Sequence, residues 1–180
     1  MKIADGWLID CEHTLSPFAD ERPAEEVSLL VVHNISLPPG QFGSNDVVDL
    51  FTGHLQAERD PFFAEIAHLK VSAHLFIRRC GKLIQFVPFN KRAWHAGISS
   101  FQGRERCNDF SIGIELEGTD DIPYTEAQYG QLVQVTGVLR QHYPLITLGR
   151  IVGHNDIAPG RKTDPGTAFD WAYFRRTLGR

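Results

Sequence analysis

The chain has 180 residues, 42% of them hydrophobic, with a formal net charge of −4 and a pI near 6.0. That suits one domain with a sizeable core and offers no basic face for nucleic acid. No apolar run approaches the roughly 20 residues that span a bilayer, and Cys11, Cys80 and Cys107 are scattered without a C-x-x-C pair, which argues against a disulfide framework or a cysteine zinc site.

Taken in order, Met1 to Trp7 carries no secretory leader pattern, so a reducing cytoplasm fits best. Residues 1–27 read as an irregular, proline-bearing arm packed on the domain. Ser28-Leu29-Leu30-Val31-Val32 is a continuous apolar run, the pattern of a strand buried on both faces. It delivers His33 at its end, ahead of the breaker Pro38-Pro39-Gly40. Ser44 or Asn45 is placed to cap a short helix with Val47, Val48, Leu50 and Phe51 inward and Gly53 as its stop. Pro61-Phe62-Phe63 reads as a turn into a packed segment. Val71 to Arg79 and Leu83 to Val87, joined around Gly81, predict a β-hairpin.

Ser111-Ile112-Gly113-Ile114-Glu115-Leu116-Glu117 alternates strictly, which predicts a strand with Ser111, Gly113, Glu115 and Glu117 on one face. Thr125-x-x-Gln128 matches a capping box, and Leu132, Val135, Val138 and Leu139 follow at helical spacing until Pro144. Arg150 to Gly153 predicts a last short strand that delivers His154, and a final helix carries Trp171, Phe174 and Leu178. The expected fold is α/β (α+β): a single domain over residues 1–180, with a central mixed β-sheet flanked by helices.

Dense polar chemistry collects in the glycine- and proline-rich stretch from Gly153 to Gly166, a loop too punctuated to be one helix. His33 and His154 each follow a strand, and Asp164 lies in that loop. Two imidazoles and a carboxylate are a normal ligand set for catalytic zinc, which keeps a fourth position open. Spacing alone cannot show that they converge. A structural hydrogen bond accounts for a strand-end histidine more simply, and a turn accounts for Asp164 before Pro165-Gly166. Glu115, mid-strand between Ile114 and Leu116, is unfavourable unless its face looks into a cleft or is wet. Glu117 is the decoy on the same face.

Five stretches, Leu30 to Ser36, Val71 to His74, Ala93 to Gly97, Asn108 to Gly118 and Gly153 to Gly166, resemble the zinc-dependent N-acetylmuramoyl-L-alanine amidases, whose fold is shared with peptidoglycan-recognition proteins. The resemblance is to the cytoplasmic AmpD type of cell-wall recycling and runs over nearly the whole chain in order. It implies hydrolysis of the amide between 1,6-anhydro-N-acetylmuramic acid and L-alanine, with one Zn2+ per chain. His33, His154 and Asp164 match the family's metal ligands, Glu115 its catalytic glutamate and Lys162 its catalytic lysine. Asn34, Trp94 and Arg106 match positions near the ligand, and Arg161 and Ala158 line the same loop. Two departures stand out: Phe62 replaces an expected tyrosine, and Lys70 replaces an arginine, turning a bidentate grip on a carboxylate into a point charge. His74 and His95 read as structural or as supports behind the ligands. The implied partner is a small anhydro-muropeptide, without nucleic acid or membrane, and a monomer is expected. A binding module that does not cut, an exported amidase acting on intact wall, and a structural zinc protein are the competing readings.

Overall fold

The computed structural model describes residues 1–179, and six strands among them form the central sheet. In chain order these are β1 (Glu12–His13), β2 (Leu29–Ile35), β3 (Leu75–Ile77), β4 (Leu83–Gln85), β5 (Ser111–Glu117) and β6 (Ile151–Gly153). The helices are α1 (Asp46–Thr52), α2 (Pro61–Ile66), α3 (Glu126–His142), α4 (His154–Ile157) and α5 (Trp171–Leu178). The spatial order is β6-β2-β5-β3-β4-β1. Strands β6, β2, β5 and β3 run parallel, β4 turns back antiparallel to β3, and β1 lies parallel to β4. The sheet is mixed and flanked by helices, as the order of elements predicts.

The alternation along β5 becomes two faces of different chemistry. Ile112, Ile114 and Leu116 join Leu30 and Val32 of β2 and pack on Leu132, Val135 and Leu139 of α3 and Phe174 of α5. Each such side chain contributes about 1.5–3 kcal/mol by leaving water. Helix α3 starts where the capping box places it, with the Thr125 and Gln128 side chains each accepting from the other's backbone N–H. On the opposite face Leu29 and Val31 meet Val152, Ile157, Phe110 and Ala96. A third cluster lies under α1 and α2, where Val47, Leu50, Phe51 and Phe63 cover Phe76 and Ile84. All seven residues of β5 are buried, so the wet face considered for Glu115 does not exist.

Three expectations are corrected. His33 does not sit at the last position of strand β2 next to a loop but two residues before its end at Ile35, because β5 extends alongside it and pairs Glu115 with His33 and Glu117 with Ile35. The arm of residues 1–27 is not irregular throughout. Ile3–Ala4 pairs with Trp7–Leu8, Glu12–His13 adds an edge strand to the sheet, and Ala19–Glu21 pairs with Lys91–Ala93. Those last two partners lie some seventy residues downstream, so no local pattern marks them. Finally, Pro61-Phe62-Phe63 opens a helix rather than a turn: proline sits at its start, and the Asp60 carboxylate caps it by accepting from Phe62 N–H at 2.8 Å.

Candidate active site

The parallel strands bring their carboxyl ends to one edge, where ligands of open α/β sheets usually bind. His33 lies in β2 directly opposite Glu115 of β5. Gly153 of β6 pairs with Val32, so His154, the first residue of α4, emerges beside His33. The chain then turns back, and Asn155 N–H donates to the Asp164 carbonyl at 3.0 Å, which returns Asp164 to the start of α4. Asp164 Oδ2 stands 3.1 Å from Nδ1 of His33 and 3.1 Å from Nδ1 of His154. One ligand atom from each of the three residues lies within 4.8 Å of the others. Donors held about 2.0–2.1 Å from one tetrahedral ion sit roughly 3.3 Å apart, so the trio is already near that spacing.

The outer nitrogens of the two imidazoles bear on what the trio can hold. Nε2 of His154 is 3.1 Å from the Ala96 carbonyl, which can only accept, so Nε2 carries the proton. A neutral His154 therefore turns a bare Nδ1 toward a carboxylate oxygen. Two facing lone pairs repel unless positive charge sits between them, which is what a divalent cation provides. His33 is buried, and burial lowers it to about 4 against the opposing pull of the Asp164 carboxylate, so it is neutral at neutral pH, as ligation requires. Burial works to raise the Asp164 carboxyl, but the His154 and His33 imidazoles facing its Oδ2 outweigh it and hold it well below the usual carboxylate range. The donor set fits a metal with three protein ligands and an open side.

Glu115 is the unsatisfied member of the site. It is 9% exposed, and its Oε2 is buried with no hydrogen-bond partner. Burial, then the Asp164 charge, push it well above the ordinary carboxylate range, with Lys162 pulling the other way. Glu117 is buried as well, but its oxygens accept from the backbone N–H of Gly43 at 2.5 Å and of Arg79 at 2.8 Å. The decoy pins two loops.

A cavity of about 920 Å³ opens over these groups, lined among others by Asn34, Trp94, Glu115, His154, Lys162 and Asp164. Trp94 is half-buried and stacks on Phe18 behind it, with centroids 6.3 Å apart. Asn34 donates to Asp120 Oδ1 at 2.9 Å. Phe62, Ile66 and Leu69 form an apolar wall. Arg106 and Ala158 line instead a second recess of about 510 Å³. Arg161 borders both, and its Nη2 donates to the carbonyls of Ala96 and Ile98, each at 2.6 Å. Lys70 is exposed and outside the lining of either space. Asp120, whose side chain holds Asn34, carries no signal in the sequence pattern, and Asn108, which opens one of the resembling stretches, gains a role only from the fold, where its side chain holds the backbone of His95 and Ala96.

A family model described as N-acetylmuramoyl-L-alanine amidase matches residues 23–167. The chain belongs to the N-acetylmuramoyl-L-alanine amidase family. This amidase is 61% identical over 179 residues to the 1,6-anhydro-N-acetylmuramyl-L-alanine amidase AmpD of Enterobacter cloacae, over 99% of this chain and 95% of the relative. It matches the crystal structure of a selenomethionine AmpD derivative with a TM-score of 0.96 at 59% identity, covering 98% of this chain and 99% of that one. It also matches AmiD from Escherichia coli, solved in complex with the substrate anhydro-N-acetylmuramic acid-L-Ala-D-gamma-Glu-L-Lys. There the TM-score is 0.62 at 30% identity, over 84% of this chain and 57% of that one. Among the described residues, no helix of the amidase is long and apolar enough to cross a membrane.

Proposed function

We propose that this amidase, as one domain over its whole length, hydrolyses the amide between the lactyl carbonyl of 1,6-anhydro-N-acetylmuramic acid and L-alanine in soluble muropeptides, during cell-wall recycling. It does so with one zinc ion per chain, as a monomer in the cytoplasm. The observation that carries this reading is the buried, unpartnered Oε2 of Glu115 beside three convergent metal donors, two of which, His154 and Asp164, line the same cavity as Glu115. The relatives' names and the muropeptide bound to AmiD set the substrate class.

His33, His154 and Asp164 would hold the zinc. When bound, zinc supplies a water of pKa lowered to about 7 and polarises the scissile carbonyl. Glu115 takes a proton from the attacking water and hands it to the leaving nitrogen, help worth roughly 10²–10⁴-fold. A carboxyl whose site pushes its pKa upward suits both halves of that task. Lys162 faces the oxyanion of the tetrahedral intermediate, and one such donor is typically worth about 3–4 kcal/mol. Trp94 offers its ring to the apolar face of the sugar, and Asn34 its amide. Arg161, Arg106 and Ala158 border the path of the stem peptide, and Lys70, exposed outside both spaces, has no contact with it. Phe62 brings no hydroxyl to the metal and serves as apolar wall.

The complete set of donors, base and lysine speaks against a module that binds without cutting. The three-ligand site speaks against structural zinc, which four ligands usually close. The test is mass spectrometry of anhydro-muramyl-tripeptide after incubation with the purified protein, with zinc and after chelation. Free tripeptide plus anhydro-muramic acid only in the zinc sample is expected, and intact substrate in both would sink the proposal. Running whole wall sacculi in parallel separates a recycling enzyme from one acting on intact wall.

A further inference from the structure

We infer that His95 is a positioning residue, one that fixes the ring plane and tautomer of His33 so that Nδ1 of His33 is left bare toward Asp164. The inference rests on the zinc reading of the site and adds a residue to it.

His33 is held at both nitrogens. Its Nδ1 faces Asp164, and its Nε2 lies 2.9 Å from Nδ1 of His95. A neutral imidazole has one proton to place. If it sits on Nδ1, it goes to Asp164 and no lone pair is left for a metal. For Nδ1 to be bare, Nε2 must donate, and the acceptor on offer is Nδ1 of His95. That nitrogen accepts only if His95 carries its own proton on Nε2, and there Ser111 Oγ waits at 3.0 Å. A hydroxyl oxygen can take that bond. The run from His33 to His95 to Ser111 is thus a chain of donors whose direction sets which face of His33 is open.

The surroundings are shaped to hold the His95 ring in this chain. The ring lies across β5 over Gly113, where a Cβ would overlap it. A glycine inside a strand often marks such a close approach. Asn108 Oδ1 accepts from the backbone N–H of both His95 and Ala96, at 3.2 and 2.8 Å. His74 stands edge-on to the ring at 5.7 Å, and its own orientation is fixed because its Nδ1 accepts from Gly113 N–H at 3.0 Å. The polar face of β5 therefore assigns three neighbours to one purpose: Ser111 anchors the support, Gly113 makes room for it, and Glu115 faces the reaction. The Ala96 carbonyl does for His154 what His95 does for His33, and the two supports are consecutive residues.

The test uses metal-free protein and measures zinc affinity by competition with a chromophoric chelator, without substrate. His95→Asn keeps an acceptor close to the place of Nδ1; His95→Leu has nearly the same shape without it. Loss of such a support typically weakens metal binding about 10–100-fold, so His95→Leu is expected to fall by that factor while His95→Asn recovers most of it. Ser111→Ala should move in the same direction by less. Nitrogen NMR of the zinc-loaded protein should find the His33 proton on Nε2. A packing role alone predicts equal losses for Leu and Asn, tracking the melting temperature of the metal-free forms; that result, wild-type affinity in His95→Leu, or a proton on Nδ1, overturns the inference. A wild-type chain that binds no zinc at the trio would instead overturn the proposed function and this inference with it.

Discussion

At one end of the polar face of β5, Glu117 sits among backbone donors, and both of its oxygens are occupied by Gly43 and Arg79 N–H groups. Two residues earlier on the same face Glu115 is buried to a similar degree, yet its Oε2 meets no partner. The strand, the residue type and the burial are shared, so none of them separates the two roles. Satisfaction does. A buried acceptor that is hydrogen-bonded stabilises the fold, whereas one left bare costs about 1–3 kcal/mol and persists only where something else is gained. At Glu115 the proposed gain is a carboxyl whose burial raises its pKa, placed beside three candidate metal donors.

Substitutions should break this contrast in a graded order. His154→Ala removes a donor shared by the whole site, so zinc content by elemental mass spectrometry and turnover should both drop to background; retained zinc at one ion per chain would remove His154 from the ligand set. Glu115→Ala should keep the metal and slow hydrolysis roughly 10²–10⁴-fold, read as product released per bound zinc. Near-normal turnover would take Glu115 out of the mechanism. Glu117→Ala should do the reverse. It strands two backbone donors and is expected to lose about 2–3 kcal/mol of stability in denaturant unfolding, with turnover per bound zinc close to wild type. If it is instead inactive and fully stable, the assignment of roles on β5 is wrong.

The smallest effect is the most diagnostic. In metal-free protein Glu115→Gln should stabilise the fold by about 1–2 kcal/mol at pH 7–8, because a neutral amide is easier to leave buried than a carboxylate. The sign of its pH dependence follows from the folded carboxyl being raised above its ordinary 4.5. Above 4.5 the unfolded chain releases that proton while the folded chain resists, so wild-type stability falls as pH rises through this window. The advantage of the variant should therefore shrink as pH is lowered toward 4.5, where both states keep the proton. A gain that is independent of pH would mean that the folded Glu115 carboxyl is not raised above its ordinary range.

Periodicity alone was enough for much of this molecule. The apolar run before His33, the strict alternation from Ser111 to Glu117 and the capping box at Thr125 depend on neighbours within a few residues, and each became the predicted strand or helix. Glu115 could be singled out for the same reason, as a charge placed between two core residues. The resemblance in the motifs around His33 and His154 carried the rest of the expected site. What depended on partners remote in sequence could be settled only by folding. The arm of residues 1–27 became strands because residues 83–85 and 91–93 reached it. Convergence of His33 with Asp164 spans 131 positions, and the anchoring of His95 on Ser111 spans 16. Local chemistry decides which backbone shapes a segment prefers; only the assembled sheet, by bringing distant donors within about 3 Å of one another, decides which buried polar groups are satisfied and which are left bare.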